Sequence, residues 1–230
     1  MGANAVTTVP VYTAGEVLTA ADMNITNSGI PVFATTVTRD AAFGGAGEKT
    51  LAEGQFAYIE ATNTTQYYDG AAWTALAPTR EIAVFNETQA QGTLGGTSVA
   101  ATWTKRTLNT SVYNTITGCS IASSVITLPA GTFYIEGSSP VFKANRTKMK
   151  LRNTTAGTDA IIGMSMFTNA TSDPAVINPM FSGTVVTTAS TTFEMQYYTQ
   201  AAYASEGLGV GNNIASTAEV YGTIYIEKIV

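Results

Sequence analysis

From residue 80 onward the chain is a series of short apolar–polar alternations, and that period of two limits it to β-structure. Successive side chains of a strand point to opposite faces, so strict alternation marks a strand with one face in a core. In Thr192–Tyr198, Phe193, Met195 and Tyr197 fall on one side, and Thr192, Glu194 and Gln196 fall on the other. Comparable runs are Ile82–Glu87, Trp103–Leu108, Ser120–Leu128, Thr132–Ser138, Met149–Asn153, Ile161–Phe167, Phe181–Val186 and Glu219–Ile229. Turn-forming clusters separate them at the interval of a β-sandwich. No stretch combines a helical period with helix-forming residues, which argues against an α/β fold. Residues 80–230 are therefore predicted to form one β-sandwich.

The last of these runs, Val220-Tyr-Gly-Thr-Ile-Tyr-Ile-Glu-Lys-Ile-Val230, is apolar on both faces. Read with an unbroken period of two, Val220, Ile224 and Ile226 line one face. Tyr221, Tyr225 and Ile229 line the other. A strand of a solitary antiparallel sandwich presents one polar face. The second apolar face needs a cover, either a symmetric copy of the same chain or the chain's own loops. Tyr221, Tyr225 and Ile229 are the candidate interface residues.

The first third has a different texture. Residues 1–35 form a polar, Thr-rich arm broken by Pro10 and Pro31. A short helix is expected in it, capped by Thr19, with Asp22 near its N-terminus and Asn27-Ser28-Gly29 at its end. The arm holds too little apolar surface to fold alone and is expected to order against a partner. Residues 36–79 read as a small β-hairpin module. A helical turn is expected at Thr38–Ala42. Phe56–Glu60 and Gln66–Tyr68 are the strands, joined through Thr62-Asn63-Thr64. Asp69-Gly70 is a further turn signal, after which Trp73 folds back over the hairpin. Such a hairpin is marginal in isolation and needs neighbours.

The residue types that are scarce restrict the chemistry. Among 230 residues there is no histidine, the commonest general acid–base and metal ligand, and there is one cysteine, Cys119. An intrachain disulfide and a cysteine-rich metal site are excluded. Cys119 reads as a small buried hydrophobe. The sixteen carboxylates show no spacing of a catalytic pair, and no glycine loop followed by Lys-Ser/Thr is present. No enzyme activity, cofactor or metal is expected. Charged residues make up 12%, about half the usual roughly 25%, with a net charge of -5. A nucleic-acid partner is not expected, because phosphate neutralisation needs a basic footprint. No apolar run reaches the roughly 18 residues of a membrane helix. The N-terminus lacks the basic and apolar regions of a secretion signal, so synthesis in a cytoplasm without standard export is expected.

One charge cluster stands out. Lys143, Arg146, Lys148, Lys150 and Arg152 are five of the 11 basic residues. Lys148, Lys150 and Arg152 alternate with Met149 and Leu151, so they share the solvent face of one strand. Two readings stay open: a contact for an anionic polymer, either a surface glycan or a neighbouring protein, or an ordinary face, solvated and paired with cross-strand acids such as Glu136 or Glu194 or serving as a charged edge that blocks aggregation. The segments Tyr197–Tyr203 and Phe167–Pro174 carry aromatic and hydrogen-bonding groups suited to sugars, as ordinary sandwich loops also do.

Two family resemblances follow from particular motifs. Gly54-Gln-Phe-Ala-Tyr-Ile-Glu-Ala-Thr-Asn-Thr-Thr-Gln-Tyr-Tyr-Asp-Gly-Ala-Ala-Trp73 resembles a small module of structural proteins of tailed bacteriophages. Gly15-Glu-Val-Leu-Thr-Ala-Ala-Asp-Met-Asn24 resembles the segment that often precedes it. Trp103–Thr110, Ile126-Thr-Leu-Pro-Ala-Gly-Thr-Phe-Tyr-Ile135 and Val220–Ile226 resemble the trimeric jelly roll of complement globular heads and tumour-necrosis-factor cytokines. The resemblance implies an all-β chain whose C-terminal jelly-roll β-sandwich follows the hairpin module and the extended arm. It further implies a homotrimer with Tyr221 and Tyr225 near its axis. The expected role is that of a virion protein, assembled in the host cytoplasm as a short fibre or spike. Residues 1–35 would dock to other capsid or tail proteins, and the knob would meet a host surface glycan. A capsid decoration protein and a carbohydrate-binding module are the alternatives. The chain lacks the collagen-like or coiled-coil stalk of many such proteins, which favours a short knob over a long fibre.

Overall fold

The computed structural model describes residues 9, 11–19, 29–46, 48–76, 80–171 and 175–229. The helix expected between Thr19 and Gly29 falls on residues outside this set, as do parts of the segments Gly15–Asn24 and Phe167–Pro174. The chain divides into two compact units, residues 1–79 and 80–230.

The first unit is a four-stranded sheet of β1 (Val32–Phe33), β2 (Phe56–Ile59), β3 (Thr64–Tyr68) and β4 (Trp73–Ala75), ordered β1-β2-β3-β4. Between β1 and β2 lies a one-turn helix, α1 (Thr36–Asp40), whose N-terminus is closed by a capping box of Thr35 and Thr38. Asp69 builds the turn after β3: its Oδ1 accepts from the amides of Ala71 at 2.9 Å and Ala72 at 2.7 Å. These bonds hold its carboxyl below the usual aspartate range. Trp73 opens a third hairpin strand paired with Tyr68, and its ring packs on those of Tyr68 and Phe43, with centroids 5.7 and 5.8 Å away. The strand holds Trp73 under the Arg39 guanidinium, 4.6 Å from the ring centroid.

Val9, Phe33, Ala42, Ala57 and Ile59 form the core of this unit. Val9, Val32 and Phe33 belong to the expected arm, yet Phe33 is fully buried and Val32 pairs with Tyr58. Parallel pairing of β1 with β2 brings this stretch into the module.

The second unit contains β5 (Glu81–Gln89), β6 (Thr104–Lys105), β7 (Thr110–Asn114), β8 (Ser120–Ala122), β9 (Val125–Leu128), β10 (Gly131–Ser138), β11 (Val141–Phe142), β12 (Asn145–Asn153), β13 (Thr158–Ile162), β14 (Met166–Thr168), β15 (Val176–Ile177), β16 (Met180–Thr187), β17 (Thr191–Thr199) and β18 (Glu219–Lys228). One sheet runs β16-β10-β18-β5-β7. The other runs β13-β12-β17-β9-β8, with β14 also paired to β12 and β6 to β17. From β9 onward the chain crosses between sheets: β9 in the second, β10 in the first, β12 and β13 in the second, β16 in the first, β17 in the second, β18 in the first. This alternation defines a jelly roll.

Alternation along each strand fills the space between the sheets. Phe85, Phe133, Ile135, Phe181, Ile224 and Ile226 come from the first sheet and meet Ile126, Leu128, Met149, Leu151, Phe193 and Met195 from the second. Each such side chain contributes roughly 1.5–3 kcal/mol when fully buried. Gly137 leaves room for the ring of Phe181, its partner on the neighbouring strand: a Cβ there would run into that ring. Ser120–Leu128, expected as one strand, is a hairpin because Ser123 and Ser124 take positive φ. Ile161–Phe167 likewise divides between β13 and β14. Cys119 lies in this core, and burial pushes its thiol up to about 11, so it is an inert packing residue.

Candidate functional site

The last strand does not keep an unbroken period. Val220 pairs with Thr88 and Gly222 with Glu87, so Tyr221 is the extra residue of a β-bulge. The bulge reverses the expected phase at this end: Val220 points outward and is 53% exposed, whereas Tyr221 turns inward and is 4% exposed. The Tyr221 hydroxyl donates to the carbonyl of Thr93 at 2.6 Å. Its ring covers Gly209, whose φ of +142° and lack of a Cβ leave the room. Of the three candidate interface residues, Tyr221 is therefore committed to its own unit. Tyr225 and Ile229 remain on the outer face.

The outer face of the first sheet is mixed rather than apolar throughout. Along β18 it presents Val220, Thr223, Tyr225 and Glu227. The pairing registers place Tyr113, Val84, Tyr225, Glu136 and Ser182 in one row across five strands. The next outward row holds Ile82, Glu227, Tyr134 and Thr184. Ile82, Val84, Tyr113, Tyr134 and Tyr225 thus form an apolar patch that runs from β10 to the edge strand β7, with Glu136 and Glu227 among them. Arg80 binds Glu227 through Nε at 2.8 Å and donates to the Tyr225 hydroxyl at 3.1 Å. The Glu227 carboxyl is lowered by the Arg80 hydrogen bond first and the Tyr225 hydrogen bond second. Beside this patch a cleft of 810 Å³ opens between β18, the 209–218 loop and β15, with Val176, Ile214 and Val220 exposed at its walls.

The floor of the cleft is held by Glu219. Its carboxylate accepts from the backbone amides of Asn213 at 2.8 Å, Gly92 at 3.1 Å and Asn212 at 3.3 Å. These bonds lower its pKa. They tie the loops on both sides of the bulge to one anchor.

A second surface lies on the outer face of the other sheet, and it divides the basic cluster. Lys150 is buried, with Nζ 2.8 Å from Asp159 Oδ1 and 4.3 Å from the centroid of the Trp103 ring. Arg152 donates to the same Asp159 oxygen at 2.8 Å. The Lys150 hydrogen bond is the largest cause that lowers the Asp159 carboxyl. The partner of these cations is thus Asp159, reached by the β12–β13 hairpin, rather than Glu136 or Glu194. Glu194 faces Lys105 at 3.7 Å. Lys150 is not on the solvent face as alternation predicts, because Trp103 covers it. The side chains of Lys148 and Arg146 have no ion-pair or hydrogen-bond partner among the described residues. Register sets Lys148 beside Tyr198 and Arg146 beside Phe167. These residues, with Met166, Ser165 and Thr147, line a 380 Å³ pocket.

Sequence reading also passes over Arg106, a buried guanidinium facing Glu87. The signal was present: Arg106 shares its parity with Leu108, an inward position. Among the described residues no group of three or more His, Cys, Asp or Glu side chains is placed to hold a metal ion. Among the described residues no helix is long and apolar enough to cross a membrane.

No protein-family model and no curated protein matches the sequence. Among solved structures the chain is similar to murine APRIL at pH 8.0, with 6% identity and a TM-score of 0.44 over 66% of this chain and 100% of that one. It is also similar to the globular domain of zebrafish complement 1qA, with 13% identity and a TM-score of 0.39 over 66% of this chain and 96% of that one.

Proposed function

We propose that this chain is a virion structural protein of a tailed bacteriophage, a short homotrimeric spike or fibre. Its first unit, with residues 1–35, attaches to other virion proteins. Its jelly roll forms an outward knob that meets the host surface. The observation that carries the assembly is the apolar patch of Ile82, Val84, Tyr113, Tyr134 and Tyr225 on the outer face of the β16-β10-β18-β5-β7 sheet. A second copy of the chain is the economical cover for this face, on which Tyr113 is 52% exposed and Ile82, Val84, Tyr134 and Tyr225 are half-buried. Three copies are the number implied by the resemblance of Trp103–Thr110, Ile126–Ile135 and Val220–Ile226 to trimeric jelly rolls. The virion assignment rests on the resemblance of the Tyr67-Tyr68-Asp69-Gly70-x-x-Trp73 module to one of tailed-bacteriophage structural proteins.

Antibody raised against the chain and imaged on purified particles by electron microscopy tests this reading. Label at the tail supports a spike. Label over the head points to the decoration protein. No label on any particle, with a soluble sugar-binding monomer, contradicts both.

A further inference from the structure

We propose that the pocket between Arg146, Lys148, Phe167 and Tyr198 binds an acidic sugar, a pyranose carrying a carboxylate. This deepens the reading that the knob meets the host surface and rests on it for its biological setting. Three observations converge. First, the chain carries a net charge of -5, yet this face gathers Lys105, Arg146, Lys148, Lys150 and Arg152 against Asp159 and Glu194. Asp159 takes up Lys150 and Arg152, and Glu194 lies beside Lys105. Among the described residues the side chains of Arg146 and Lys148 are left without an ion-pair or hydrogen-bond partner, and both are at the pocket. An anion entering there meets two positive groups that no carboxylate of the described residues pairs with.

Second, the walls are aromatic. Phe167 is 63% exposed beside Arg146. Tyr198 stands beside Lys148 and is held by Trp103, whose ring centroid lies 5.6 Å away. The apolar face of a sugar ring packs against such rings, whereas a small inorganic anion gains nothing from them. Third, the pocket exists because β12 changes partner. Its first half pairs with β14 and its second half with β13, and residues 163–165 span the gap. The resulting 380 Å³ falls within the roughly 300–1,000 Å³ of small-molecule sites. Directly opposed residues on paired strands have Cβ atoms about 4.5–5.5 Å apart, so each cation sits beside its ring without reorganisation.

The test is calorimetric titration of the full chain with trigalacturonate, sialyllactose and a glucuronate disaccharide, beside maltotriose, lactose and pyrophosphate. Solution mass is measured on the same samples. At least one acidic sugar is expected to bind at least tenfold tighter than its neutral counterpart, and more weakly as salt rises. Lys148→Ala and Phe167→Ala are each expected to weaken it tenfold or more. Both side chains are partly or well exposed, so thermal melts should match the parent and exclude misfolding. The proposal is overturned if no acidic sugar binds, if neither variant matters, or if pyrophosphate binds as well with no dependence on Phe167. A trimer that binds no acidic sugar sinks this site and leaves the spike reading standing. A monomer that binds one keeps the site and removes the trimer.

Discussion

The guanidinium of Arg106 lies 2.7 Å from the carboxylate of Glu87, and the two side chains are 1% and 4% exposed. Burial raises the Glu87 carboxyl in spite of the opposing Arg106 charge, and it lowers Arg106. The Arg106 Nη2 donates to the Leu208 carbonyl at 2.8 Å, while Arg106 Nε and Glu87 Oε2 make no well-aligned hydrogen bond among the described residues. The pair is held by charge, with incomplete hydrogen bonding, between the bulge of β18 and the 208 loop. Arg106→Ala leaves a buried carboxylate alone and is expected to cost about 3–5 kcal/mol in a denaturant melt. Joint replacement by Glu87→Leu and Arg106→Met should recover most of that loss or exceed the parent. An Arg106→Ala chain within about 1 kcal/mol of the parent would show that the pair carries no such weight.

Glu219 sets an acid limit. Its folded pKa is lowered by three backbone amides, so between its unfolded value of about 4.3 and its folded value the unfolded state binds more protons. The stabilisation is complete above the unfolded value and is lost as pH falls through the folded one. Thermal melts between pH 6 and pH 3 should therefore show the parent losing stability on acidification. Glu219→Gln should show a shallower acid limb. Equal slopes would mean that the three amides do not discriminate the charged form.

How much of this was legible in the sequence depends on the range of the cause. Thr191–Thr199 announces its faces through period two, and Phe193, Met195 and Tyr197 are buried as that period requires. Tyr221 was misphased because a bulge is one inserted residue. Val220 and Tyr221 are both apolar, so hydrophobicity could not mark which of them turned inward. Lys150 was misplaced because its burial comes from Trp103, 47 positions earlier, brought across by β6 pairing with β17. Asp159 lies only seven residues from Arg152, but its role appears once β13 folds back on β12. Lys148 and Arg146 stood in the cluster from the start. What separates them from Lys150 and Arg152 is the placement of one carboxylate, and composition does not report it.

The bulge itself is open to substitution. Gly209 accommodates the Tyr221 ring with φ at +142°, so Gly209→Ala adds both backbone strain and a clash. Overpacking of this kind costs typically about 1–3 kcal/mol, and strain adds to it. A thermal melt of Gly209→Ala should show that loss, and Tyr221→Phe a smaller one of about 1 kcal/mol from the Thr93 hydrogen bond. A neutral Gly209→Ala would mean that Tyr221 lies elsewhere.

Self-association through the outer face of β18 is the centre of the account, and light scattering after size exclusion tests it most directly. The full chain and its Val84→Asp/Tyr225→Lys variant are to be compared. Both positions are outward-facing, so the variant should stay folded. The parent is expected at about 72 kDa, three times the 24.0 kDa of one chain, and the variant at the mass of one chain. A parent that already runs as a monomer, or a variant that remains a trimer, would contradict assembly through this face.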